Sequence, residues 1–321
     1  MAVLKRVAAP SASERFWAIV LAGGQGIRLR PLVEHIHRDA RPKQFAVLFG
    51  ERSLLRQTLD RVALSAPADR TVVVTTKAHA RYFEAELSSG RSGRVLVQPL
   101  DLGTAAGLLL PMHWIFWRDP EAVVTVFPSD HFVADDAAFM RHVDALRPVV
   151  ARHPERLVLL GATPDAPEPG YGWIEPGMTI ERAPACGDVR TVLRFVEKPS
   201  PEEARACLAR GGLWNTFVMA GRAATFLEAA RRALPDLHER LRRIRPFADT
   251  AGEASAIDRA YALAPPADFS QAVLAANPGR LAVSELPPLH WSDWGTPERV
   301  ISALRREGLE PRWLGELAPT A

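Results

Sequence analysis

The sequence predicts an α/β fold: a mostly parallel, doubly wound, Rossmann-like sheet with a helical C-terminal part. Two observations predict it. Short apolar runs, rich in Val, Ile and Leu, recur at 16–21, 71–76, 95–97, 122–127 and 157–160. Stretches of helical spacing separate most of them, and that alternation implies right-handed crossovers between parallel strands. Ligands on such sheets bind beyond the carboxyl ends of the strands.

The run from Phe16 to Leu21 reads as a strand buried on both faces, and it ends in Ala22-Gly23-Gly24-Gln25-Gly26. Glycines let the backbone turn sharply and bring N–H groups against a ligand with no Cβ in the way. Arg28 and Arg30 follow, then Arg41-Pro42-Lys43-Gln44-Phe45. A strand, a glycine turn and then cations is a way to hold a polyphosphate.

Residues 53 to 64 carry apolar side chains at helical spacing, with Ser53 as N-cap. A buried strand at 71–76, a helix at 78–87 and a strand at 95–97 lead into Gln98 and Gly103-Thr104. From there a helix runs to about residue 117, with a kink expected near Pro111. Thr104 could cap that helix. The strand at 122–127 closes on Pro128-Ser129-Asp130-His131. A helix at 135–150 follows, with Asp135 and Asp136 as cap acids, and then the strand at 157–160. Residues 163–169 form an exposed connection, and Gly170-Tyr171-Gly172 opens a new segment. A strand at 189–196 ends in Glu197-Lys198-Pro199, a helix spans 201–208, and 214–218 is a strand-like return. Helical patterns cover 224–245 and 253–261. A late strand at 281–286 and Trp291 to Pro297 lead into a closing helix. The expected division is a flexible tail at 1–14, an α/β core at 15–225, a helical segment at 226–280, and a return strand and closing helix at 281–321. No hexapeptide array of a left-handed β-helix is present.

Composition bounds the function. With 321 residues and 47% hydrophobic content the chain can bury a substantial core. A net charge of +3 with scattered basic residues argues against nucleic-acid binding. The arginines between 231 and 245 read as a solvated helix face. No stretch has membrane-spanning length, and the two cysteines, Cys186 and Cys207, make no framework, so a reduced, cytoplasmic protein is expected. Of 40 basic residues only Lys5, Lys43, Lys77 and Lys198 are lysine. A chain this biased keeps lysine where a compact ammonium is required.

Leu21-Ala-Gly-Gly-Gln-Gly-Ile-Arg-Leu29 with Pro42-Lys43-Gln44-Phe45 resembles the signature of sugar-1-phosphate nucleotidyltransferases. Pro128-Ser129-Asp130-His131, Phe195-Val196-Glu197-Lys198-Pro199 and Trp291-Ser292-Asp293-Trp294-Gly295 are similar to further motifs of that family. The resemblance runs from about residue 17 to 297, weakly over 225–280, and points to the mannose-1-phosphate guanylyltransferase branch. It implies a sheet of the GT-A nucleotide-diphospho-sugar transferase type and attack of a sugar-1-phosphate on the α-phosphorus of GTP, aided by Mg²⁺. Leu21, Ala22, Gly23, Gly24 and Gly26 would cradle the nucleotide, and Gln98, Gly103 and Thr104 would face the nucleoside. Arg28 would meet the β- and γ-phosphates, and Lys43 would bridge the α-phosphate and the incoming sugar phosphate. Asp130 and Asp293 would hold the metal. Gly172, Glu197, Lys198 and Asn215 would take the sugar phosphate.

The bland readings are a surface Lys43, a helix-surface Arg28, an exposed Glu197–Lys198 pair, and Asp293 as a cap before Pro297. His131 is expected to bond to backbone rather than to metal, and Trp114, Trp117, Trp214, Trp291 and Trp294 to fill core or interface. Three departures from the family pattern stand out: Ile27 in place of Ser or Thr, a longer link from 33 to 41, and no Ser-Gly after Asn215. The first and last of these keep a non-catalytic nucleotide-sugar sensor open; the other competitor is a glycosyltransferase on a related sheet, though such enzymes bring two nearby aspartates to the metal and here Ser129 precedes Asp130 alone. A homodimer is also left open.

Overall fold

Along the first strand, β1 (Phe16–Leu21), the side chains alternate between two apolar cores. Trp17 and Ile19 enter one; Phe16, Ala18 and Val20 enter the other. That period of two, apolar on both sides, is what a central strand covered by helices on both faces requires. The computed structural model describes residues 15–87 and 93–316. The expected tail at 1–14 lies outside the described residues.

The other strands are β2 (Thr71–Thr76), β3 (Arg94–Gln98), β4 (Val123–Pro128), β5 (Phe132–Val133), β6 (Leu157–Ala162), β7 (Trp173–Ala183), β8 (Gly187–Val196), β9 (Leu213–Arg222), β10 (Leu281–Glu285) and β11 (Trp291–Ser292). Nine of them form one sheet in the order β3-β2-β1-β4-β9-β6-β10-β8-β7. β1 pairs in parallel with both β2 and β4, and β10 with β6, while β9 lies antiparallel between β4 and β6. Helices Thr104–Arg118, Ala223–Ala233, Pro235–Arg242 and Glu253–Tyr261 cover one face, and Leu54–Val62 and Asp136–Arg152 the other.

The small β5–β11 pair decides where chemistry can happen. Trp291 stands opposite Val133 and Ser292 opposite Phe132. Just beyond it the Phe132 and Trp294 rings stack at 4.8 Å, and Trp294 is fully buried in a third core cluster. The loops holding Asp130 and Asp293, far apart in sequence, are thereby clamped side by side.

Several elements differ from the sequence expectations. Residues 173–183 form a strand that hairpins onto β8. Its Pro176 and several register shifts interrupt the alternation that would have revealed it. β9 extends to Arg222, well past Val218. The helical stretch 224–245 breaks at Leu234, because Pro235 starts a new helix. Gly103, with φ of +83°, takes the N-cap place of the next helix, so Thr104 does not cap it. Ser53 and Asp135 do cap their helices, accepting from Arg56 N at 3.1 Å and Ala138 N at 2.8 Å. Cys186 and Cys207 are free and buried. No helix among the described residues is long and apolar enough to cross a membrane.

Candidate active site

The glycine turn is held from behind. Ala22 N donates to Val74 O at 2.8 Å, and the Gln44 amide Nε2 donates to Ala22 O and Gly24 O, both at 2.9 Å. Ser129 Oγ donates to Leu21 O at 2.6 Å, fastening the end of β4 to the same turn. Gly26 has φ of +61°, and a Cβ there would come within 2.8 Å of Lys43 Cβ. The turn and the lysine segment therefore interlock, and no side chain fits between them.

Lys43 is buried, with 4% exposure, so the surface reading fails. Its Nζ donates to Asp130 Oδ2 at 3.1 Å and to the backbone carbonyl of Asp293. For Asp130, burial is the largest influence and works against the charged form, but Lys43 and His131 together bring the carboxyl below its usual range. Asp293 shows the same balance: burial opposes the charge, and Lys43, His131 and Arg299 together hold the carboxyl low. Its Oδ1 accepts from Tyr171 Oη at 2.8 Å, from Arg299 Nη1 at 2.9 Å and from Gly295 N at 2.9 Å. Its Oδ2 is left toward Arg28, 3.8 Å away. Thr296, not Asp293, caps the closing helix.

Gly26, Arg28, Lys43, Asp130 and Asp293 line one cavity of about 480 Å³. No group of three or more His, Cys, Asp or Glu able to hold a metal occurs among the described residues. Two carboxylates on the wall of such a cavity suit Mg²⁺, which takes its remaining ligands from phosphate and water.

His131 departs from expectation, because it makes no backbone bond. Its Nδ1 is buried with no partner among the described residues, and its ring packs edge-on against Trp291 at 5.3 Å. Burial holds it down at about 4, as a neutral imidazole.

A second cavity of about 180 Å³ shares His131 and Asp293 with the first and is lined by Thr104, Gly172, Glu197, Lys198 and Asn215. A Cβ on Gly172 would stand 2.7 Å from Glu197 Oε2, so only glycine lets the carboxylate approach that backbone. Asn215 N donates to Gly172 O at 2.8 Å, and Asn215 Oδ1 accepts from Phe217 N at 3.1 Å. Burial first, and then Asp268, raise the Glu197 carboxyl in spite of Lys198, whose Nζ is 3.6 Å away. Thr104 Oγ1 donates to Asp268 Oδ2 at 3.1 Å and accepts from Phe269 N at 2.8 Å.

Leu21, Ala22, Gly23, Gly24, Gln98 and Gly103 line neither cavity: the first four form the turn, Gln98 stands behind Gly23, and Gly103 caps the next helix against Ala267. Gln98 is 3% exposed, with Oε1 3.0 Å from Tyr261 Oη. Sequence reasoning missed Tyr171, Arg299 and Glu168. Arg299 Nη2 lies 2.6 Å from Glu168 Oε2, and its guanidinium lies 4.3 Å from the centre of the Tyr171 ring. Tyr171 sits between Gly170 and Gly172, and in the sequence nothing sets its hydroxyl apart from those glycines. An arginine at the start of a helix carries no signal of its own.

The nucleotidyl transferase family model matches residues 17–307. The chain belongs to that family. Alginate biosynthesis protein AlgA of Pseudomonas fluorescens is 32% identical over 286 residues, covering 86% of this chain and 56% of AlgA. A mannose-1-phosphate guanylyltransferase of Escherichia coli is 31% identical over 227 residues, covering 69% of this chain and 46% of that protein. The chain thus spans about half the length of these curated relatives. A solved structure described as a mannose-1-phosphate geranyltransferase from Thermus thermophilus superposes with a TM-score of 0.74 at 32% identity, covering 90% of this chain and 79% of that one. One described as a mannose-6-phosphate isomerase from Helicobacter pylori reaches 0.67 at 22% identity, covering 87% of this chain and 99% of that one, a likeness of fold alone.

Proposed function

We propose that this family member forms GDP-mannose, or a close GDP-hexose, and pyrophosphate from GTP and the hexose-1-phosphate. The observation that carries the reading is Lys43: a buried ammonium clamped between Asp130 and the Asp293 carbonyl. Relatives named for alginate biosynthesis and mannose-1-phosphate guanylyl transfer support the choice of substrates.

A phosphate oxygen of the sugar-1-phosphate attacks the α-phosphorus. A new P–O bond forms, the bond to the α,β-bridging oxygen breaks, and the electron pair leaves with pyrophosphate. No proton need move. Positioning and charge stabilisation supply the rate. Holding two anions in line can be worth ~7–11 kcal/mol. The backbone of the glycine turn cradles the triphosphate, and Arg28, exposed at the cavity mouth, meets the β- and γ-phosphates. Lys43 exchanges a protein partner for phosphate oxygens of both reactants. Asp130 and Asp293 Oδ2 would hold Mg²⁺, which supplies charge neutralisation on the phosphates. Glu197 and Asn215 accept from sugar hydroxyls, and Lys198 meets the sugar phosphate. A reduced, cytoplasmic setting belongs to the same proposal.

Pyrophosphate release across four nucleoside triphosphates and several hexose-1-phosphates tests it. The expected result is turnover with GTP and mannose-1-phosphate ahead of other pairs. No turnover with any pair overturns it. GDP-mannose binding without turnover would select the sensor instead, a reading favoured by Ile27, 63% exposed on the cavity wall where a hydroxyl is usual.

A further inference from the structure

A cavity of about 250 Å³ opens between the last turns of helix Thr104–Arg118 and helices Ala223–Ala233 and Pro235–Arg242. It shares no lining residue with either cavity of the candidate active site. Its walls are mainly apolar: Phe116 and Trp117, both half-buried, and Leu227.

Its polar groups lean one way. Residues 223–247 carry six arginines against three acids, a surplus equal to the net charge of the whole chain. Glu228 lines the cavity, but Arg231 holds it at 2.8 and 3.0 Å and Arg232 at 2.7 Å. Arg242 is paired with Glu239 at 2.7 Å. Arg245 lines the cavity and has no side-chain partner among the described residues.

At the wall His113 and His238 stand with ring centroids 4.8 Å apart. His113 is 2% exposed, and among the described residues neither its Nε2 nor His238 Nδ1 has a partner. Burial holds His113 at about 3, so the ring is neutral near neutral pH. Buried polar groups without partners are uncommon and costly, and a bound molecule is one way to satisfy them. A solvated arginine face explains neither the two unpartnered imidazoles nor the half-buried aromatic wall beside them.

We propose that this cavity binds a small aromatic anion, its one or two fused rings against Phe116, Trp117 and Leu227 and its acidic group on Arg245 and Arg242. The volume of about 250 Å³ lies just below the usual range for ligand pockets, which limits the occupant to that size.

The test is calorimetric titration of the full chain with 2-naphthoate. One saturable site is expected, weakened roughly tenfold or more by Arg245→Glu and by Trp117→Ala, as loss of a charge-assisted bond or of stacking area dictates. The uncharged 2-naphthamide should bind weaker by a similar factor, and the His113 and His238 imidazole resonances should shift on titration. Lys43→Ala should leave the affinity unchanged. Absence of saturable binding overturns the proposal. So does affinity indifferent to Arg245→Glu, or affinity lost in Lys43→Ala, which would put the probe in the phosphate cavity. Arg245→Gln removes the charge without reversing it and serves should Arg245→Glu disturb the helices.

Discussion

The two cavities that meet at Asp293 and His131 are finished to different degrees. On the phosphate side every central charge already has its counterpart: Lys43 on Asp130, and Asp293 on three donors. On the sugar side Lys198 is 66% exposed, stands on left-handed backbone with φ of 46°, and lies only loosely beside Glu197. Dipoles and charges fixed before the reaction need no reorganisation during it, which is where electrostatic catalysis is strongest. An exposed cation on a loose side chain offers attraction but little geometry. Under the proposed function, the contrast would assign the rate to the first cavity and selective capture of the sugar phosphate to the second.

The sharpest way to break that contrast is Lys43→Arg beside Lys77→Arg. Lys43 is buried with its ammonium held between Asp130 and the Asp293 carbonyl, and a planar fork cannot replace a point charge there. Pyrophosphate release by Lys43→Arg should fall about 10²–10³-fold, the loss typical of one prearranged transition-state donor. Lys77 is 56% exposed and paired with Asp258 at 2.8 Å. Its replacement should change the rate by no more than about twofold, as for exposed ion pairs generally. Equal activity of the two variants would remove the phosphate-side assignment.

A middle-sized effect is expected at Tyr171→Phe. The ring keeps its contact with Trp214 at 4.6 Å, but one of three donors to Asp293 Oδ1 is lost. Removing a group that orients a metal ligand typically costs 10–100-fold in metal affinity, so about tenfold weaker Mn²⁺ binding is expected, read by electron paramagnetic resonance with GTP present. Unchanged Mn²⁺ affinity would mean that Arg299 and Gly295 hold Asp293 unaided, or that Asp293 is not a ligand.

What the sequence made legible follows from how local each signal is. β1, the glycine turn and β4 were readable because an apolar run and its punctuation lie within a few residues. The buried state of Lys43 was hinted at by the scarcity of lysine, a compositional signal. The β7–β8 hairpin was half hidden, since Pro176 and the register shifts of β7 erase the period of two. The network of Glu168, Arg299 and Tyr171 on Asp293 was not readable at all. It forms only when the connection at 163–169 folds against the start of the closing helix, and no spacing encodes that meeting. His131 was misread for a related reason: a strand-end histidine commonly finds a backbone partner, whereas here Trp291, brought in by β11, takes up the space.

The smallest effect, and the one that sharpens the contrast most, belongs to Lys198→Ala. An ammonium this exposed acts through water, where a single ion pair is worth roughly 1 kcal/mol or less. That corresponds to about a fivefold rise in KM for the sugar phosphate. The KM for GTP should not move, because Lys198 lines only the smaller of the two cavities. Nor should kcat, provided the sugar phosphate, once captured, is aligned by Lys43 rather than by Lys198. Steady-state kinetics with each substrate varied in turn separates the terms. A fall in kcat approaching that of Lys43→Arg would show that Lys198 reaches the reacting phosphate in the transition state. The loose geometry around Glu197 would then be a feature of the unliganded chain that substrate binding removes, and the division between rate and capture would disappear.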